Sequence, residues 1–237
     1  MALLQVKQIE KSFGKKRLLK AVDFELKTGE ILGVFGRNGS GKSTLLKILF
    51  GTQTAKTGSI KINESKYAVR KHFWNRNPVV ADEVIGYLPQ FSFLSQSSKV
   101  WDLIPKYFEG EEQDLIFRAP RMTKIAKRKV NELSLGERRY LEVLIVGNLK
   151  HPFLLLDEPF SMVEPLFKEL IHEFLSSLKA KKGILEVNNK IKGILLTDHY
   201  YHDVWQLADR NLVLKEGNLQ EVNTLEDLVQ AGYLRSK

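Results

Sequence analysis

Gly36-Arg37-Asn38-Gly39-Ser40-Gly41-Lys42-Ser43-Thr44 is the stretch on which the reading of this 237-residue chain turns. It fits G-x-x-x-x-G-K-[ST], follows the apolar run Glu30-Ile31-Leu32-Gly33-Val34-Phe35 and leads into Leu45-Leu46-Lys47-Ile48-Leu49-Phe50. Strand, glycine-rich turn and helix in that order make a phosphate-binding loop. The glycines let the backbone curl around an anion so that successive N–H groups point inward, at a helix N-terminus whose dipole favours negative charge. Lys42 is placed to reach the β- and γ-phosphates of a nucleotide, and the Ser43 hydroxyl to ligate Mg²⁺.

Such a loop needs a second strand beside it that ends in a carboxylate. Phe153-Leu154-Leu155-Leu156-Asp157-Glu158 supplies one, with two acids at the C-terminal end of an apolar strand, where α/β sheets bind ligands. Asp157 is the candidate for supporting the metal through water, and Glu158 for polarising a water that attacks the γ-phosphate.

Around these motifs, short apolar runs alternate with helical patterns, which predicts an α/β core. Strands are expected at 3–9, 21–26, 31–35, 59–63, 84–88, 153–156, 194–196 and 211–214, and helices at 42–50, 165–179 and about 203–208. Gly51 is expected to end the first helix, and Thr224 to cap a last helix that begins with acids. Between about 100 and 150 the apolar residues recur only at helical spacing (Trp101, Ile104, Tyr107, Phe108; Leu141, Leu144, Ile145), which predicts a helical insertion. The expected arrangement is a single domain: a core formed by about 1–95 and 151–237, with a helical subdomain at about 96–150.

The chain is 43% hydrophobic and 27% charged, enough apolar content for a real core. It has no cysteine, which excludes disulfides and thiolate chemistry. No apolar run approaches the roughly 20 residues of a membrane span, and the first residues do not read as a signal peptide, so a cytoplasmic protein is expected. The net charge is +9, with basic clusters at 66–76, 118–129 and 179–182. Such surfaces could meet nucleic acid or an anionic membrane face, or could be simply solvated; charge alone does not choose.

Four further strings follow in order. Lys11-Ser12-Phe13-Gly14 precedes the phosphate loop, and Ile85-Gly86-Tyr87-Leu88-Pro89-Gln90 comes after it. Leu133-Ser134-Leu135-Gly136-Glu137 precedes the acidic pair, and Leu195-Leu196-Thr197-Asp198-His199 follows it. With these the chain resembles the ATP-binding cassette (ABC) transporter ATPases over essentially its whole length. Its wording is most similar to the lipopolysaccharide-export and branched-chain amino acid import types. The resemblance implies a P-loop NTPase core with an antiparallel β subdomain and an inserted helical subdomain, and it implies ATP and Mg²⁺ as cofactors. It assigns ATP contacts to Gly36, Arg37, Asn38, Gly39, Ser40, Gly41, Lys42, Ser43 and Thr44, and adenine stacking to Phe13. Gln90 takes the Q-loop position near Mg²⁺ and the γ-phosphate, His199 the switch position at the γ-phosphate, and Ser134-Leu135-Gly136-Glu137 the signature that acts on a partner's ATP.

The same resemblance implies a head-to-tail dimer, homo- or heteromeric, bound to an integral membrane transport subunit on the inner face of the plasma membrane. That subunit would dock near Gln90 and the apolar Phe91-Ser92-Phe93-Leu94. Nucleic acid is not expected as a partner, because the second cassette or added domains that would bind it are missing. Three departures stand out. Leu135 replaces the first signature glycine, and glycine permits closer approach and freer φ than leucine. Glu164 stands where an Asp is usual, and 179–192 looks long, with Gly183 and Asn188-Asn189 suggesting a hairpin or loop. An ATP-hydrolysing transporter subunit is the leading expectation. Leu135 keeps open an ATP-dependent dimer clamp with slow or no hydrolysis.

Overall fold

The computed structural model describes residues 1–67, 69, 83–180 and 191–234. Residues 181–190 of the expected long segment 179–192, and most of the basic cluster at 66–76, lie outside the described residues.

Two sheets frame the molecule. The first is antiparallel, in the order β2-β1-β4-β5, built from β1 (Leu3–Phe13), β2 (Lys16–Lys27), β4 (Thr57–Ile62) and β5 (Ser65–Tyr67). β1 and β2 run longer than the apolar pattern predicts, because hairpin pairing carries them through polar residues as far as Phe13 opposite Lys16. The two-residue turn between them is made possible by Gly14 at φ 55°. Among the described residues β5 and the later β10 (Asn218–Val222) are edge strands, too polar to announce themselves in sequence.

The second sheet has the order β10-β9-β3-β8-β7-β6, with β3 at Ile31–Phe35, β6 at Ile85–Leu88, β7 at Phe153–Asp157, β8 at Gly193–Thr197 and β9 at Arg210–Lys215. All neighbours pair parallel except β10 with β9. Every residue of β3, β7 and β8 is buried, which is why they read as unbroken apolar runs. The pleat sends alternate side chains into two cores. Leu32, Val34, Phe153 and Leu155 pack toward helix α1 (Lys42–Phe50) and the antiparallel sheet. Phe35, Leu154 and Leu156 pack on the other face.

Helices cover that second face. The stretch after 100 is helical as expected but broken into short pieces: α2 (Val100–Leu103), α3 (Glu111–Arg118), α4 (Met122–Ile125) and then the long α5 (Leu135–Asn148). Ile104 and Phe108 are buried, whereas Trp101 and Tyr107 stay largely exposed. α5 packs on α6 (Pro165–Ala180), which starts with Pro at a position where no backbone donor is needed. α7 (Tyr201–Leu207) and α8 (Leu225–Gln230) complete the set. Thr224 caps α8 as expected: its hydroxyl accepts from Asp227 N (3.2 Å), while the Asp227 carboxylate accepts from Thr224 N (2.9 Å). No helix among the described residues is long and apolar enough to cross a membrane.

The α5–α6 contact closes at Gly147, where an added Cβ would sit 2.4 Å from a ring carbon of Phe174. Gly147→Val is expected to destabilise the fold by about 1–3 kcal/mol through overpacking. Urea denaturation checks this, and an unchanged midpoint would mean that the helices separate there without penalty.

Candidate functional site

Because β3, β8, β7 and β6 are neighbours and all parallel, their C-terminal ends share one edge of the sheet. The chain leaves that edge as the glycine-rich loop after β3, as Glu158 after β7, as Asp198-His199 after β8 and as Pro89-Gln90 after β6. Four strings far apart in sequence therefore meet in one place.

In the loop, Gly39 (φ 75°) and Gly41 (φ 114°) take left-handed conformations that favour glycine. Gly36 has no room for a side chain, since a Cβ would lie 2.6 Å from Ser40 Oγ and 2.8 Å from Leu214 O. Gly41 precedes α1 without any side-chain cap, and the first turn of α1 carries no acid. This N-terminus presents its free N–H groups and positive dipole end to the cleft, an arrangement suited to an anion. Lys42 is buried and donates to Gly36 O (2.6 Å) across the loop. Burial pushes its pKa down, against the opposing pull of Glu158, Asp157 and Asp198.

Ser43 Oγ donates to Asp157 Oδ1 (3.0 Å), joining residues 114 positions apart. Tyr87 OH donates to Asp157 Oδ2 (3.2 Å) from the neighbouring β6. Burial raises the Asp157 pKa, partly offset by these two bonds. Among the described residues no group of three or more His, Asp or Glu forms a ready-made cation cage. One hydroxyl and one carboxylate suit a Mg²⁺ that takes its remaining ligands from water and phosphate oxygens, so the residues present fit that ion.

Glu158 sits at φ 59°, and its carboxylate lies 2.8 Å from His199 Nε2. Glu158, His199 and Gln90 line a cleft of about 300 Å³ together with Asn38, Gly39, Gly41, Lys42, Ser43 and Thr44. Gly36, Arg37 and Ser40 instead line a separate cavity beside Val213 and Tyr233. Phe13 is not among the residues lining the cleft. It is half exposed at the end of β1 with the Lys11 ammonium 5.0 Å from its ring centroid, while Leu18 of β2 is among the residues that line the cleft.

The Ser134–Glu137 string lies apart from this cleft, at the start of α5. Ser134 Oγ accepts from Glu137 N (3.1 Å) and Glu137 Oε2 accepts from Ser134 N (2.8 Å), a closed capping box. Arg128 Nη1 sits 2.9 Å from both Glu137 oxygens. Leu135 belongs to the helix and needs no left-handed backbone, and its side chain is 46% exposed. Gly136 is the closer-packed position: an added Cβ would fall 1.7 Å from Glu164 Oε2, the end of an exposed side chain that could swing aside, and 3.0 Å from a ring carbon of Phe167. Of the apolar stretch after Gln90, Phe91 and Phe93 are exposed as expected, but Leu94 is buried in the helical core, so it offers no surface.

Three residues at the site escaped the sequence reading. Tyr87 holds Asp157. Asp198, itself buried, accepts from Phe160 N (2.6 Å), Ser161 Oγ (3.0 Å) and Tyr200 N (3.1 Å), tying the turns after β7 and β8 together. Arg139, also buried, bonds to Pro89 O and to the carbonyls of Asp157 and Glu158. None of the three carried a sequence signal of its own: Tyr87 reads as one more apolar residue of its strand, Arg139 as one of a polar run at a helix start, and Asp198 as a turn residue beside His199.

A parallel sheet with a phosphate-binding loop and an acid on the adjoining edge defines the P-loop nucleotide-binding class. Comparison with known proteins narrows this. The model of the ABC transporter family matches residues 19–161, and the chain belongs to that family, as an ATP-binding subunit. An ABC transporter ATP-binding protein of Methanocaldococcus jannaschii is 29% identical over 95% of this chain and 79% of its own length. The lipopolysaccharide export ATP-binding protein LptB of Acidithiobacillus ferridurans is 26% identical over 98% of this chain and 95% of its own. Among solved structures, an ATP-binding subunit of an ABC transporter superposes with TM-score 0.78 at 24% identity, covering 99% of this chain and 95% of that one. A dimeric ATP-binding cassette bound to ADP and Pi superposes with TM-score 0.74 at 23% identity, covering 93% of this chain and 99% of that one. At these identities the structural likeness speaks for the fold.

Burial puts the folded pKa of Asp157 above 3.8, so the native state holds a proton there more readily than the unfolded chain does. Stability from this group therefore falls as pH rises above that value through the folded pKa. Asp157→Asn is expected to melt higher than wild type near pH 7, with the gap narrowing at a second, acidic pH. Thermal melts at the two pH values check this; a gap that ignores pH would assign the effect to altered hydrogen bonding.

Proposed function

We propose that this chain binds and hydrolyses ATP with Mg²⁺ as the energy-coupling subunit of a transporter. The observation that carries the reading is the convergence of Gln90, Glu158 and His199 on the cleft beneath the open N-terminus of α1. Glycine-loop N–H groups and Lys42 would hold the phosphates, and Ser43, with Asp157 acting through water, would hold the metal. When bound, Mg²⁺ supplies charge stabilisation at the phosphate oxygens. Glu158 accepts hydrogen bonding from the attacking water and His199 orients Glu158 and the γ-phosphate. Lys42 stabilises charge on the transferred group.

The capped start of α5, with Ser134 and Gly136, faces the ATP of a second cassette, so the working unit is a dimer. The exposed Phe91 and Phe93, beside Gln90, offer an apolar footing for a membrane subunit, which keeps the chain at the inner face of the plasma membrane. LptB, named for lipopolysaccharide export, favours an exporter of that general type as the first partner to try.

A second reading, an ATP-dependent clamp that turns over slowly or not at all, is favoured by one observation. Leu135 projects an exposed side chain from the first turn that would meet the partner's nucleotide.

Steady-state ATPase assays separate the two. Wild type is expected to hydrolyse ATP, and Glu158→Gln to lose about 100-fold or more in rate. Leu135→Gly is expected to change the rate by less than about threefold. Wild-type turnover no greater than that of Glu158→Gln, with turnover appearing in Leu135→Gly, would overturn the hydrolytic reading in favour of the clamp.

A further inference from the structure

Arg139 lies in the second turn of α5, buried, and spends its guanidinium on the main chain of two other elements. Nη1 donates to Pro89 O (2.8 Å), immediately before Gln90, and to the Glu142 carboxylate (3.1 Å). Nη2 donates to the carbonyls of Asp157 and Glu158, the latter at 3.1 Å. A planar fork can serve these diverging acceptors at once, whereas an ammonium is a point charge on a flexible stem.

The backbone held in this way is strained. Glu158 at φ 59° occupies the left-handed region, which a non-glycine residue keeps only when its surroundings over-determine it. Two bonds do so. Glu158 N donates to Thr197 O (2.7 Å), tying the turn to β8, whose next turn carries His199. Glu158 O accepts from Arg139, tying the turn to α5, whose first turn carries Ser134 and Gly136. In that backbone conformation the Glu158 carboxylate reaches His199 Nε2 at 2.8 Å.

The geometry points to Arg139 as a positioning residue for ATP hydrolysis, one that fixes the Glu158 backbone and the root of Gln90 from the signature-bearing helix without touching nucleotide. The orientation of the water-polarising acid then depends on how α5 is seated, and α5 is the element that meets the second subunit. This rests on Glu158 having the role proposed above. Residues 36–44 accept no bond from Arg139, so its loss acts on rate and leaves nucleotide binding in place.

The test needs care, because Glu142 is 2% exposed and its Oε1 has no partner. Removing Arg139 alone would strand a buried carboxylate. Two variants avoid this: Arg139→Lys, which keeps a positive charge beside Glu142, and the double change Arg139→Met with Glu142→Leu, which removes the pair together. Each is measured for cooperative melting, for affinity toward a fluorescent ATP analogue and for steady-state turnover, beside Glu158→Gln.

Both variants are expected to melt cooperatively and to bind nucleotide within about threefold of wild type, while kcat falls by about 30-fold or more, the scale on which small misplacements of a catalytic group act. Lysine is expected to preserve the melting temperature but not kcat. A folded variant with kcat within about threefold of wild type, while Glu158→Gln is inactive, overturns the role of Arg139 alone. Parallel loss of affinity and rate overturns it too, since Arg139 would then only be holding the cleft together. If Glu158→Gln also keeps wild-type turnover, the assignment of Glu158 falls, and the role of Arg139 with it.

Discussion

Parallel pairing of β3, β8, β7 and β6 is the constraint from which the site follows. Parallel neighbours end on the same side, so the four segments that leave these strands must share one edge whatever their separation in sequence. The pairing is possible because β3, β7 and β8 are apolar on both faces and helices or a second sheet cover each face. The Ser43–Asp157 bond is the local consequence: a helix start and a strand end 114 residues apart are brought to 3.0 Å.

The two helix N-termini named by the sequence are in opposite states. That of α1 is uncapped and free of acids, with its lysine bonded back to the loop. That of α5 is closed by Ser134 and Glu137, with Arg128 neutralising the glutamate. The contrast fits two different tasks, one end open to a nucleotide within the chain and the other finished as part of a surface. It also relocates the concern raised by Leu135. Leucine costs the helix nothing in backbone conformation, while Gly136 is the residue without which Glu164 could not lie where it does.

Burial sets the electrostatics of the cleft. Lys42 is pushed toward its neutral form, and Asp157 and Asp198 toward their protonated forms, because each has been taken out of water. Hydrogen bonds from Ser43 and Tyr87 on one acid, and from Phe160, Ser161 and Tyr200 on the other, offset part of that cost.

The sequence by itself determined the local pieces whose physics is local. The glycines of 36–41 mark a loop that only they can form, unbroken apolar runs mark strands buried on both faces, and Thr224 marks a helix start that its own neighbours complete. It also carried the ordered motifs that tie the chain to its family. Polar edge strands such as β5 and β10 stayed hidden because their pairing comes from a neighbour rather than from their own pattern. The tertiary structure alone decided that Phe13 stays outside the cleft walls, that Leu94 is buried, and that Glu164 lies on Gly136. It alone brought Arg139 to three carbonyls on other elements. Those outcomes depend on which surfaces meet, and a hydrogen bond between distant main-chain atoms leaves no periodicity in the residues that make it.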